Sequence, residues 1–157
     1  MEKKRSFAQA ISDILVKENV ISRSEADSLQ SSFVDSNKES FDDFLLSEGL
    51  VQKSDLLNAL SIYYQVPAFD IAGYFFEEQL LKKFPKFFLI NSAFLPIQVD
   101  GEVMSIVVSE PNSPELLSDI GRYLSYDIVM SVGLKQDILD AIEEYYLGPY
   151  DENIELT

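Results

Sequence analysis

The sequence predicts an α+β protein, with an N-terminal bundle of short helices built from two helical hairpins and then a small three-stranded sheet packed with helices. Three observations predict it. Residues 13–21 match residues 43–51 at an offset of 30, with apolar positions opposite apolar positions throughout. The texture changes at Pro67, from helical spacing to short β-rich runs. Beyond it, helical and β-branched runs follow in the order helix, strand, strand, helix, strand, helix, which suits a small sheet covered by helices.

Capping chemistry and periodicity place the first four helices near 6–18, 22–34, 37–48 and 52–64. Asn19 and Gly49 occupy the same position of the repeat, and both residue types tolerate the left-handed conformation that ends a helix. Ser22 with Glu25, and Ser36 with Glu39, have capping-box spacing. Asp55 suits the first turn of the fourth helix, where Leu56, Leu57, Leu60 and Tyr64 share one face. Neither hairpin can bury its apolar face alone, so the two are expected to pack together. Pro67–Ile71 reads as extended, and Gly73 allows a turn. Glu77–Phe84 has helical spacing, and Pro85 opens a second short helix. Phe94–Val99 and Val103–Ser109 flank Asp100-Gly101 as a hairpin. Ser113-Pro114 starts a helix that runs to about Leu124. A strand over Tyr126–Val132 and a helix over Leu134–Tyr146 complete the order. The domains so defined are a helical lobe at 1–66, an α/β lobe at 67–148 and an acidic tail or linker at 149–157, after Gly148-Pro149.

Composition restricts the chemistry. The chain has no His and no Cys, so imidazole bases, thiolates, disulfides and ordinary zinc sites are excluded. With 27 acidic against 12 basic residues the net charge is −15, which opposes nucleic-acid binding. The basic start Lys3-Lys4-Arg5 precedes no sustained apolar run, so no secretory leader is expected. The acidic doublets Asp42-Asp43, Glu77-Glu78 and Glu143-Glu144 spread their charges about 100° apart on a helix, which suits solvated surface better than a metal or acid–base pair. Only the tail acids Asp151, Glu152 and Glu155 leave room for a weak cation site. No metal, cofactor or catalytic residue is expected.

The residues Leu45–Val51, Asp55–Leu60 and Val66-Pro67, then Phe94–Ile97, Ser109–Pro111 and Ile142–Tyr146, resemble the amino-terminal module of type II secretion and type IV pilus assembly ATPases, the GspE amino-terminal, MshEN-like module. The similarity runs over residues 6–148. It implies a non-catalytic docking or regulatory module that binds the cytoplasmic part of an inner-membrane platform protein. It also implies a cytoplasmic location at the inner face of the bacterial inner membrane, and a motor ATPase domain C-terminal to the module in the full-length protein. None of the six glycines has the spacing of a phosphate-binding loop, so ATP hydrolysis is not expected of this chain. Two alternative uses of such a fold are a cyclic di-GMP receptor with a degenerate motif and a stand-alone signalling adaptor.

Some modules of this family bind cyclic di-GMP through a twice-repeated motif that opens with Arg-Leu-Gly and closes with Gln. Arg pairs with phosphate or stacks on guanine, Gly admits the ligand, and the amide reads a base edge. Aligned on Asn19 and Gly49, the opening Arg and Gly positions fall on Ala10 and Ser12, then on Ser40 and Asp42, and the closing Gln positions fall on Phe33 and Tyr63. Asp42 would repel a phosphodiester by about 1 kcal/mol at about 4 Å in water. The motif is degenerate, and cyclic di-GMP is not the expected ligand. The more informative residues are aromatic. Tyr74, Phe75, Phe76, Phe87 and Phe88 are candidate partner-docking residues, against the alternative that they fill the seam between the lobes and cover the sheet. Of each pair Tyr63-Tyr64 and Tyr145-Tyr146, one ring is expected to face inward and the other the rim.

Overall fold

The computed structural model of the chain describes residues 6–36 and 40–146. The basic start, Glu39 and the acidic tail lie outside them. Two compact units divide between Gln65 and Val66.

In the first unit, short polar side chains fix where each helix begins. Ser6 accepts from the Gln9 amide and caps α1 (Phe7–Lys17). Ser22 and Glu25 form the reciprocal box that opens α2 (Arg23–Val34), at 3.0 and 2.8 Å. Asn19 and Gly49 adopt the left-handed conformation the repeat predicts, with φ of 66° and 82°. The third helix departs from expectation. α3 spans Phe41–Glu48 and starts at Ser40, whose Oγ accepts from the Asp43 amide at 3.2 Å. Ser36 instead belongs to the end of α2, where its hydroxyl donates to the Phe33 carbonyl at 2.8 Å. Ser40 starts a better helix because Asp42 and Asp43 then occupy the first turn, where the dipole favours carboxylates. α4 (Lys53–Tyr64) ends on Gln65 in the left-handed region, a stop with no glycine to announce it. Equivalent positions of the repeat share the core: Ile11 and Phe41, Leu15 and Leu45, Ile21 and Val51 are all buried.

The second unit contains the sheet. After α5 (Glu78–Leu81) and α6 (Lys86–Ser92) come β1 (Phe94–Asp100), β2 (Val103–Val108), α7 (Pro114–Gly121), β3 (Asp127–Val132) and α8 (Lys135–Tyr146). The sheet order is β1-β2-β3. β1 and β2 are antiparallel about Asp100-Gly101, where Gly101 has φ 65°, as a tight hairpin requires. A register shift between Pro96 and Gln98 accommodates Pro96, which cannot donate to a ladder. β2 and β3 are parallel, joined through α7. Two helices are shorter than the periodicity suggests. α5 is a single turn, and α7 stops at Gly121, where Tyr123 and Leu124 both donate to the Ile120 carbonyl and tighten the last turn.

The extended stretch after α4 joins this sheet. Val132 donates to the Pro67 carbonyl at 2.8 Å and accepts from the Phe69 amide at 2.9 Å, so Ala68 pairs parallel to the end of β3. Gly133, next in the chain, is required by close approach: a Cβ there would lie 2.6 Å from Val107 Cγ2 and 3.4 Å from the Phe69 carbonyl. Val107 is fully buried and stiff about χ1, so it cannot swing aside cheaply. Gly133→Ala is therefore expected to destabilise the protein by roughly 1–3 kcal/mol, through overpacking. Urea denaturation followed by circular dichroism checks this, and an unchanged midpoint would refute it.

Candidate functional site

The five aromatic docking candidates separate into two classes. Phe76 and Phe88 are buried, at 5% and 8% exposure, and belong to the core of the second unit. That corrects their reading as docking residues: a ring already enclosed offers a partner no surface. Phe75 is 91% exposed, Phe87 is 63% exposed, and Tyr74 lies at the boundary.

The backbone on both sides of Phe75 is fixed. Gly73, with φ 78°, allows the turn in which the Tyr74 amide donates to the Ile71 carbonyl at 3.0 Å. The Tyr74 hydroxyl reaches the Ile97 carbonyl of β1 at 3.4 Å. The Phe76 amide donates to the Tyr145 hydroxyl of α8 at 2.7 Å. The Tyr74 ring packs edge-on against Phe69 at 5.1 Å and Phe76 at 4.7 Å. With both neighbours held inward, the ring of Phe75 is turned to solvent. Phe87 stands on α6 beside a different cluster, in which Phe84, Phe88, Phe94 and Tyr123 pack ring to ring at 4.9–5.8 Å. Tyr123 joins that cluster although it follows α7. Tyr146 is buried, its hydroxyl shared between the carbonyls of Leu81 and Phe84, while Tyr145 is half-buried, so that pair divides as expected. Tyr63 and Tyr64 do not divide. Both are half-buried, because each packs against Phe7 as well as against the other.

The degenerate nucleotide-motif positions are engaged in packing and capping. Ala10 and Ser12 are buried in α1, and the Ser12 Oγ has no hydrogen-bond partner among the described residues. Phe33 packs against Phe41 at 5.1 Å and Phe44 at 5.5 Å, joining α2 to α3. Tyr63 packs against Phe7 at 5.3 Å, joining α4 to α1. Ser40 caps α3, and Asp42 is half-buried in its first turn.

The acidic doublets do not converge. Glu78 pairs with Lys82 at 3.4 Å and Glu143 with Lys86 at 3.1 Å. Among the described residues no three carboxylates gather to hold a metal ion. A cleft of about 160 Å³ lies by the end of β2 and the start of α7, lined in part by Ser109, Ser113 and Lys135 together with Glu110, Glu115 and Asp119. Its three carboxylates make it a poor anion site.

Comparison with known proteins places this architecture. The MshEN domain family matches residues 64–150, more than half of the chain. The chain belongs to that family. It is 27% identical over 146 residues to the type IV pilus assembly ATPase PilB of Myxococcus xanthus (strain DK1622), covering 92% of this chain and 26% of PilB. The chain thus spans about a quarter of the length of that relative. Its fold matches a structure of MshE with cyclic di-GMP at a TM-score of 0.67 and 19% identity, covering 92% of this chain and 100% of that one. It also matches the N-terminal domain of XpsE at a TM-score of 0.58 and 18% identity, covering 90% and 97%. The α+β fold and the membership of the amino-terminal modules of type II secretion and type IV pilus ATPases are as the sequence predicts. This family is the amino-terminal module of those ATPases and not their catalytic motor.

The two adjacent phenylalanines give a contrast that can be measured. Phe76→Ala is expected to cost about 3–5 kcal/mol, as for a buried aromatic. Phe75→Ala is expected to stay within about 0.5 kcal/mol of the parent, as for a surface substitution. Equal urea midpoints for the two variants would contradict the assignment.

Proposed function

We propose that this module is a non-catalytic docking and regulatory element of a secretion or pilus assembly ATPase, and that it binds the cytoplasmic part of the inner-membrane platform protein of the same machine. It works on the cytoplasmic face of the inner membrane, and a motor ATPase domain follows it in the full-length protein. Among the described residues no helix is long and apolar enough to cross a membrane. The observation that carries this reading is the state of the ligand-reading positions in a chain of this family. Ala10, Ser12, Phe33 and Tyr63 are used for internal packing, which supports a scaffold that works through its surface and not through a bound small molecule.

The similarity to MshE with cyclic di-GMP favours a second reading, a receptor for that nucleotide. The residues oppose it: a ligand approaching Phe33 or Tyr63 would have to displace ring contacts at 5.1–5.3 Å, and it would find the Asp42 carboxylate where the motif's glycine admits it and Ser40 where the motif's arginine pairs with phosphate. Titration calorimetry separates the two readings. The cytoplasmic domain of the platform protein is expected to bind, and cyclic di-GMP is expected to give no heat. Because the module carries a net charge of −15, affinity for the platform domain should fall as salt rises. The range from about 50 mM to about 500 mM, over which screening shortens to within a few ångströms, is sufficient. Absence of platform binding would overturn the docking reading, and micromolar or tighter nucleotide binding would establish the second reading in its place.

A further inference from the structure

We propose that Phe75 is the anchor of the docking interface, and that its counterpart is an apolar pocket rimmed by Lys or Arg side chains on the partner protein. This inference rests on the docking function above and assigns the contact within it. An aromatic ring that is 91% exposed forgoes the burial that its neighbour Phe76 obtains at 5%, although it follows directly on the same turn. The backbone on both sides of it is hydrogen-bonded. The Asp70 carboxylate accepts from the Ala72 amide at 3.0 Å, the Tyr74 amide and hydroxyl are both bonded, and the Phe76 amide is held by Tyr145. The ring is presented from a fixed backbone, so little conformational freedom remains to be lost when a partner encloses it. Large aromatic side chains held in this way are typical centres of interface affinity.

Charge selects the occupant. Residues 67–81 contain Asp70, Glu77 and Glu78 and no Lys or Arg, and all three carboxylates are exposed. Lys82, the next residue, pairs with Glu78 at 3.4 Å, and Asp70 and Glu77 against the exposed Lys83 leave one negative charge in surplus over residues 67–83. An anionic lipid surface is repelled by that collar. A second copy of the chain brings the same collar and the same net charge of −15. A pocket with a basic rim is attracted by it and encloses the ring at its centre.

The chain contains no Trp, so Phe75→Trp places a single indole at the site. In the free protein its emission is expected at the wavelength of a solvated indole. On adding the cytoplasmic domain of the platform protein, the emission, taken as the difference from the wild-type complex, is expected to shift to the blue. Phe75→Ala, with an unchanged urea midpoint, is expected to weaken binding about thirtyfold. The triple variant Asp70→Asn, Glu77→Gln, Glu78→Gln is expected to slow association and flatten its salt dependence while leaving the emission shift in place. If wild type binds while Phe75→Ala binds equally well and the indole does not shift, the anchor assignment is overturned and the docking function stands. If wild type does not bind, both are overturned. A blue shift with vesicles of phosphatidylglycerol and phosphatidylethanolamine, or with rising concentration of the protein alone, would overturn the assignment in favour of lipid or of self-association.

Discussion

The short hydrogen bond from the Phe76 amide to the Tyr145 hydroxyl, at 2.7 Å, is the constraint on which the candidate site depends. It fixes the backbone immediately after Phe75 to the last turn of α8. The next residue of that helix, Tyr146, spans the carbonyls of Leu81 and Phe84, so two consecutive phenols hold the whole segment from 76 to 84. A buried hydroxyl without partners would cost about 1–3 kcal/mol, whereas the Tyr146 hydroxyl is engaged by two carbonyls and the Tyr145 hydroxyl accepts from a backbone amide outside any helix or strand. The aromatic rings complete the arrangement: Phe76 packs edge-on against Tyr145 at 6.1 Å, and Tyr74 against Phe76. One helix end thereby determines which member of the Tyr74–Phe76 triplet faces solvent.

Local features of the fold were legible in the sequence because their causes are local. The left-handed stops at Asn19 and Gly49, the Ser22–Glu25 box and the Asp100-Gly101 turn depend on residues within a few positions of each other. The start of α3 was misplaced because Ser36 has capping-box spacing with Glu39, whereas the acidic first turn of Asp42 and Asp43 favours the start at Ser40. Parallel pairing of β2 with β3, and of Ala68 with Val132, has no comparable mark, since the partners are far apart in the chain and any β-branched run would serve. Gly133 shows the same limit. Its need for the absence of a Cβ comes from Val107 and Phe69, which only the folded sheet brings near.

The candidate site was half legible. An aromatic run in a loop identifies where large apolar side chains concentrate, but loops lack the period that would separate inside from outside. Phe75 and Phe76 are chemically identical, and only the Tyr145 bond and the Gly73 turn distinguish them. The repeat carries a related lesson. Phe33, which closes the first copy, packs against the opening of the second, and Tyr63, which closes the second, packs against Phe7 at the opening of the first. Residues equivalent by sequence make equivalent joints between helices, so the aromatic replacements hold the bundle together. The Ser12 hydroxyl is buried in α1 without a partner among the described residues.

The acidic surplus does not stabilise the fold, and the proposed docking function gives it a use in encounter with a partner. Arg23 with Asp13, Lys82 with Glu78 and Lys86 with Glu143 are partly exposed pairs of a kind that contributes at most about 1 kcal/mol each. Even if every one of the 12 cations were paired with one carboxylate, 15 of the 27 would have no cation opposite them. Their mutual repulsion acts against the compact state, and solubility alone requires a far smaller net charge, roughly 2–8 for a small domain. What such a surface does well is attract a basic one from beyond contact distance and orient the approach. Long-range attraction of that kind cannot by itself fix a register, because screened charges bind loosely and in many orientations. A single rigid aromatic supplies the missing short-range specificity. On this surface the turn that presents Phe75 between Asp70 and Glu77 provides both.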